Sequence, residues 1–189
     1  MLLKQKHTGV AWRTTQHSHQ VRPERVAMSL RDQLIGAWEL LEYSAFPVAN
    51  PTAKIYPMTQ QATGIILYTP YGYMSAQIQI PGQPPFASQD MNGGTHHELA
   101  EAGRNYFAYT GPFYLDESGR EPVLVHAMAC SSFPNWMGGM QRRVMELAEE
   151  DGERLLKLGP ERAVEVQGEM RMTRLVWRRL PDNLASRPP

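Results

Sequence analysis

Short runs of alternating apolar and polar residues recur from Gly36 to Leu180, and glycine, proline or asparagine separates them. The first run starts at Gly36, and the others are Gly64–Thr69, Tyr71–Ile80, Phe107–Asp116, Pro122–Ser131, Met140–Ala148, Arg154–Gly159 and Met170–Leu180. About eight strands at such regular spacing indicate an antiparallel sandwich or barrel. The strands do not alternate with long helices, and the pattern therefore argues against a parallel sheet.

Two short helices are predicted beside the strands. Ser29 is a suitable N-cap for one or two helical turns over residues 31–35. The second helix is predicted from His96 to about Tyr106. Its start has the stronger signal, because Thr95 and Glu98 have the spacing of a capping box, in which each side chain accepts from a free backbone N–H group.

The chain divides into an extension, one domain and a tail. Its 189 residues suffice for a single domain with a sizeable core. Residues 1–28 are basic and lack periodicity, which predicts a disordered extension. A mitochondrial transit peptide and a working start at Met28 are the two alternatives for this segment. Residues 29–180 are predicted to form the barrel, and residues 181–189 a short flexible tail.

Charge and hydropathy argue against two kinds of partner. Residues 29–180 hold 13 basic and 17 acidic residues, a net charge of −4, whereas a nucleic-acid surface needs a concentrated basic patch. No apolar run reaches the roughly 18 residues of a membrane-spanning helix. The chain has one cysteine, Cys130, so no disulfide can form within it, and a cytoplasmic location is expected. The oligomeric state stays open.

Several segments, taken in order, carry a family resemblance. They are Leu34–Leu40, Gly64–Thr69, Tyr71–Ala76, Ala108–Tyr114, Val125–His126, Phe133–Gly138, Gln141–Arg143 and Leu175–Arg179. Together they resemble the lipocalin-like domain family of bacteria and filamentous fungi over about residues 33–180. Two features depart from that pattern: Ala127 stands where a second histidine is common, and the turn after Glu146 is longer and more acidic.

The resemblance implies a closed antiparallel β-barrel with a short N-terminal helix, as in calycins. It also implies a setting in secondary-metabolite biosynthesis, where many fungal members of the family occur. In classical lipocalins an arginine of the last strand packs on the first-strand tryptophan. Here Arg178 or Arg179 can take that place on Trp38, and packing of Arg143 on Trp38 is the alternative. The family name implies no particular reaction, so function depends on the residues of the site.

His126 and Arg143 are the candidate catalytic residues. Strand alternation places His126 on one face with Leu124 and Met128, and places Arg143 on one face with Met145. An imidazole in an apolar cavity suits proton transfer on an enolisable carbonyl, while a structural histidine bonded to backbone or tyrosine is the alternative. A buried guanidinium needs a carbonyl or anionic partner, either a ligand or an internal carboxylate such as Glu42.

The candidate substrate-binding residues are large aromatic and sulfur-containing side chains, which can line an apolar pocket and, for tyrosine, donate a hydrogen bond. They are Tyr68, Tyr73, Tyr109, Tyr114, Met128, Trp136 and Met145. Packing in the strands is the alternative role of the tyrosines, and Trp136 is either a ligand-stacking ring or a plug at the barrel rim.

No metal or cofactor is predicted. His96 and His97 are consecutive on a helix and point about 100° apart, so they cannot chelate one ion together. Cys130 has no histidine or second cysteine at nucleophile spacing and is predicted to be a buried apolar residue. Phosphate-loop, dinucleotide and nucleophile-elbow motifs do not occur.

Three functions follow from these residues. The first is a cofactor-free cyclase, isomerase or dehydratase for a polyketide- or terpenoid-like metabolite, with His126 as acid and base and Arg143 stabilising the oxyanion together with a tyrosine. The second is a non-catalytic carrier of a small apolar or aromatic metabolite. The third is a structural or interaction domain whose barrel is filled with side chains. A barrel of about eight strands has room for one small ligand, which favours the first two.

Overall fold

Ten strands and two α-helices occur in residues 28–184, the part of the chain that the computed structural model describes. In chain order they are α1 (Leu30–Leu34), β1 (Gly36–Pro47), β2 (Thr63–Tyr68), β3 (Tyr73–Gln79), α2 (His96–Arg104), β4 (Tyr106–Asp116), β5 (Val123–Ala127), β6 (Cys130–Ser131), β7 (Met140–Glu150), β8 (Glu153–Pro160), β9 (Val164–Val166) and β10 (Glu169–Arg179). A single 3-10 turn over Pro134–Trp136 lies between β6 and β7.

Eight of these strands form a closed antiparallel barrel. Their order is β1-β2-β3-β4-β5-β7-β8-β10, and β10 pairs with β1 to close the ring. The short strand β6 pairs with β4, and β9 pairs with β10. The predicted fold is therefore confirmed. Strand β9 is an addition to the eight strands predicted from the sequence, whereas β6 is the last part of the predicted strand over residues 122–131.

The barrel interior holds one hydrophobic core. Alternating positions of the strands supply it, for example Met74, Ala76 and Ile78 of β3, each exposed by 2% or less. A β-bulge between Leu40 and Glu42 changes the phase of β1. Leu40, which precedes the bulge, is part of the core, and Tyr43, which follows the bulge, packs against the same core.

One barrel end is closed by the first helix and the first tryptophan. The indole N–H of Trp38, a fully buried residue, donates to the Leu34 carbonyl oxygen at 2.9 Å. The Arg179 guanidinium lies 5.2 Å from the Trp38 ring centre and donates to the Ile35 carbonyl oxygen. The expected contact of a last-strand arginine with the first-strand tryptophan is thus confirmed, with Arg179 making it.

The predicted caps of both helices are present. The Ser29 hydroxyl accepts from the Asp32 N–H group at the start of α1. At the start of α2, the Thr95 hydroxyl accepts from the Glu98 N–H group, and the Glu98 carboxylate accepts from the Thr95 N–H group. Helix α2 ends at Arg104, about half a turn before the predicted end.

The prediction for Cys130 is wrong, because its side chain is exposed. The predicted strand over residues 122–131 breaks after Ala127, where the Met128 and Ala129 N–H groups donate to the Gly139 and Thr110 carbonyl oxygens. Pairing resumes in β6 opposite β4, and the simple alternation that placed Cys130 inside does not continue across the break.

Most of the predicted basic extension and part of the predicted tail, residues 1–27 and 185–189, lie outside the described residues. None of the helices in residues 28–184 is long and apolar enough to cross a membrane.

We expect Gly111→Ala to destabilise the barrel by about 3 kcal/mol, because the added Cβ would overlap the Ala127 carbonyl oxygen. Gly103→Ala is the matched control: it lies in α2 with open space around it, and it should stabilise the protein by roughly 0.5–1 kcal/mol. Urea unfolding of the two variants measures both effects. Equal stability of the two variants would contradict the close approach at Gly111.

Candidate functional site

His126 lies at the centre of the barrel interior. Its strand β5 is flanked by β4 and β7, where Phe113 and Gln141 are its partners in register. The side chain is fully buried, and its Nε2 atom is hydrogen-bonded to the Tyr68 hydroxyl at 3.0 Å. Its Nδ1 atom is buried and has no hydrogen-bond partner within residues 28–184.

Two tyrosine rings enclose the His126 imidazole. The ring centres of Tyr68 and Tyr109 lie 5.8 and 5.9 Å from the imidazole, in tilted arrangements. Both tyrosines are buried, and burial raises the pKa of both phenols, that of Tyr68 well above its ordinary value. At neutral pH both side chains are therefore uncharged hydrogen-bonding groups.

The His126 imidazole is also held uncharged. Burial in the apolar interior lowers its pKa from 6.5 to about 3, and the positive charge of Arg143 contributes in the same direction. A neutral imidazole with one nitrogen engaged by Tyr68 has a single hydrogen-bonding position left. This position is the unpartnered Nδ1 atom.

Arg143 approaches the same group of side chains from β7, where it pairs with the fully buried Leu124. Its positive charge counteracts the burial effect on the pKa of Tyr43, Tyr68 and Tyr109, by favouring the phenolate. Its guanidinium donates to the Gln141 side-chain oxygen at 3.2 Å and to the backbone oxygen of its neighbour in sequence at 3.1 Å.

Arg143 has no carboxylate partner. The ion pairs among residues 28–184 do not include it, and Glu42, the internal carboxylate expected as its partner, pairs with Lys54 instead. The neighbouring Arg142 points to the outer face, where it pairs with Asp116 and Glu161. Strand alternation thus places Arg142 outside the barrel, where carboxylates neutralise its charge. Arg143 points inside, where it has no anionic partner among the described residues.

Trp136 covers this group from the 3-10 turn. Its ring makes edge-to-face contacts with Phe107 and Tyr109, with ring centres 5.2 and 5.6 Å apart. The Arg143 guanidinium carbon lies 5.4 Å from the Trp136 ring centre, within cation–π distance. Trp136 is only partly buried, so it lies between the cluster and solvent.

We use the term interior cluster for the side chains that these contacts join: Tyr43, Tyr68, Tyr109, His126, Trp136 and Arg143. Five of the six were candidates from the sequence. Met128 and Met145, also candidates, are each 3% exposed and belong to the adjoining core. Tyr43 was missed, because the bulge that turns it inward has no sequence signal as clear as strand alternation.

Tyr73 and Tyr114 do not join the interior cluster, which corrects their expected place in a pocket lining. They are 58% and 54% exposed on the outer face of the barrel. Their immediate neighbours Met74 and Phe113, each 2% exposed, take the inward positions, since successive side chains of a strand point to opposite faces.

Five clefts with volumes of about 200 to 500 Å³ occur on residues 28–184, and none of these five is lined by His126, Tyr68 or Arg143. The largest lies between β7, β8 and β10. Within the same residues, no group of three or more histidine, cysteine, aspartate or glutamate side chains is placed to hold a metal ion.

A closed antiparallel barrel, sealed at one end by an arginine on a tryptophan and carrying a partly polar interior, defines a lipocalin-like protein. The lipocalin-like domain family matches residues 35–180, and the chain belongs to that family. A relative is the 4'-hydroxy-3'-methoxypropiophenone carrier protein ppsC of Aspergillus oryzae (strain ATCC 42149 / RIB 40). It is 36% identical over 112 residues, which span 57% of this chain and 97% of the relative.

We expect His126 to make the protein less stable in acid. Its pKa is about 3 when folded and 6.5 in the unfolded chain, so below pH 6.5 the unfolded chain takes up the proton preferentially. The free energy of unfolding should fall by roughly 3 kcal/mol between pH 7 and pH 4 from this group alone.

Urea unfolding at both pH values measures this loss. It should shrink in His126→Gln and persist in His96→Gln, whose histidine is exposed. An NMR titration gives a second measure, in which the His126 ring signals should not move between pH 7 and pH 5. An unchanged pH dependence in His126→Gln, or a His126 signal that titrates near pH 6.5, would contradict the neutral buried imidazole.

Proposed function

We propose that this protein is a non-catalytic carrier of a small, flat, largely apolar aromatic metabolite. The observation that carries the proposal is the 36% identity to a propiophenone carrier over nearly the whole of that relative. The interior cluster supports it, because aromatic rings and a few polar atoms within an apolar core are the usual lining of a small-molecule site.

The protonation state of His126 favours binding over catalysis. A general acid or base works best when its pKa lies near the working pH, whereas burial lowers the pKa of His126 to about 3. A neutral imidazole with a free Nδ1 atom is suited to forming a hydrogen bond with a bound molecule. The hypothesis of a cofactor-free cyclase or isomerase with His126 as acid and base has less support for this reason.

The ligand is proposed to enter beside Trp136. This ring is the part of the interior cluster that comes from a turn rather than from a barrel strand. It contacts three aromatic rings in T-shaped arrangements, and the Arg143 guanidinium lies over it. A flat ligand that displaces the Trp136 ring can contact the aromatic rings and the Arg143 guanidinium that Trp136 contacts in its absence. Displacement also accounts for the absence of His126, Tyr68 and Arg143 from the linings of the five open clefts.

Isothermal titration calorimetry with 4'-hydroxy-3'-methoxypropiophenone tests the proposal. We expect saturable binding with a Kd of about 1–10 μM, or −7 to −8 kcal/mol, and unchanged ligand after prolonged incubation, as judged by chromatographic retention together with mass spectrometry. Consumption of the ligand would favour the enzyme hypothesis. Absence of binding by this compound and related aryl ketones would favour a structural domain with a filled barrel.

We expect Trp136→Ala to change the affinity about fivefold, since an aromatic ring contact is worth about 1 kcal/mol beyond its buried area. Weaker binding indicates that the indole stacks on the ligand, and tighter binding that it competes with the ligand for the cluster. Tyr71→Ala is the control, because this ring is 86% exposed. Equal affinities of both variants and the unchanged protein would contradict the proposed place of the ligand.

A further inference from the structure

Arg143 carries a positive charge into the barrel without a compensating negative charge. Its hydrogen bonds go to an amide oxygen of Gln141 and to a backbone carbonyl oxygen, both neutral acceptors. No ion pair of residues 28–184 includes it. A partly buried guanidinium without an anion is costly, and proteins normally pair such a charge.

The titratable groups that Arg143 acts on across the barrel interior are all neutral at neutral pH. They are Tyr43 on β1, Tyr68 on β2, Tyr109 on β4 and His126 on β5, and burial keeps the three phenols protonated and the imidazole unprotonated. Trp136 adds the face of an uncharged ring. The interior cluster therefore has a net charge of about +1 before a ligand binds, which the Arg143 guanidinium supplies.

We propose that the protein binds its ligand as an anion, the phenolate of a para-acyl phenol, with the charged oxygen accepting from Arg143. This inference rests on the proposed carrier function and adds which ionisation state of the ligand the protein binds. A phenol with an acyl group in the para position is acidic, because the carbonyl group delocalises the negative charge of its phenolate. On binding, the phenol O–H bond breaks heterolytically, the electron pair stays on the ligand oxygen, and the proton passes to water.

The neutral groups of the cluster are suited to the rest of such a ligand. The Tyr109 ring, which Trp136 contacts before it is displaced, offers its surface to the aromatic part, and the His126 Nδ1 atom is a free hydrogen-bonding position for a second polar group. A neutral ether of the same shape would fill the same space but would leave the guanidinium without its anion. The site should therefore discriminate by charge as well as by shape.

The absorption spectrum of the ligand tests the inference directly, because the phenolate of a para-acyl phenol absorbs at longer wavelength than the phenol. The probes are 4'-hydroxy-3'-methoxypropiophenone and its 4'-O-methyl ether, 3',4'-dimethoxypropiophenone. At a pH where the free phenol is mostly protonated, the protein should shift the phenol's absorption to the phenolate band. The pKa of the bound ligand should fall by about 1–2 units, a 10- to 100-fold preference for the anion.

Arg143→Gln should abolish the spectral shift and bring the affinities for the phenol and the ether together. Arg143→Lys keeps the charge and should retain part of the shift. Arg142→Gln is the matched control, since its side chain is the adjacent arginine on the outer face, and it should behave as the unchanged protein does. Circular dichroism of each variant checks that the barrel remains folded.

The outcomes separate this inference from the carrier proposal. Tight binding of the phenol with an unshifted spectrum, or equal affinity for phenol and ether, would contradict binding as an anion. Either result would still be consistent with the carrier function. A shift that survives in Arg143→Gln would overturn the role of this arginine. Failure of the unchanged protein to bind either compound would overturn both proposals.

Discussion

The pairing of β10 with β1 is the constraint on which the other features depend. It runs from Trp38–Arg179 to Pro47–Arg171 and joins the two ends of the sheet, so that the main barrel strands have neighbours on both sides. Closure creates an interior in which side chains from five different strands or turns can surround His126. The same pairing brings Arg179 onto Trp38, which fixes one end of the barrel.

Burial within this closed interior determines the chemistry of the cluster. Desolvation acts on every ionisable group there in the same sense, favouring neutral histidine and neutral tyrosine. Arg143 is the exception, because a guanidinium cannot release its proton in a protein. The interior therefore combines an apolar lining with one persistent charge, which is an arrangement suited to recognising a polarised aromatic molecule without transforming it.

Of the interior cluster, Tyr68, Tyr109 and Trp136 were chosen for their residue type. Strand alternation predicted the barrel and placed His126 and Arg143 inward, because a period of two fixes which side chains face inward wherever a strand is regular. It failed where the period is interrupted. The bulge in β1 turned Tyr43 inward, and the break after Ala127 left Cys130 outside. Tyr73 and Tyr114 were chosen for their residue type, although the apolar neighbours Met74 and Phe113 compete for the same inward positions.

The break that exposes Cys130 has a practical consequence. This thiol is the only one in the 189-residue chain, and it lies on β6, four residues before the turn that carries Trp136. A fluorophore or spin label attached there would mark one defined position beside the proposed entrance of the barrel. The chain thus provides, without any added cysteine, an attachment point from which any movement of that turn can be measured.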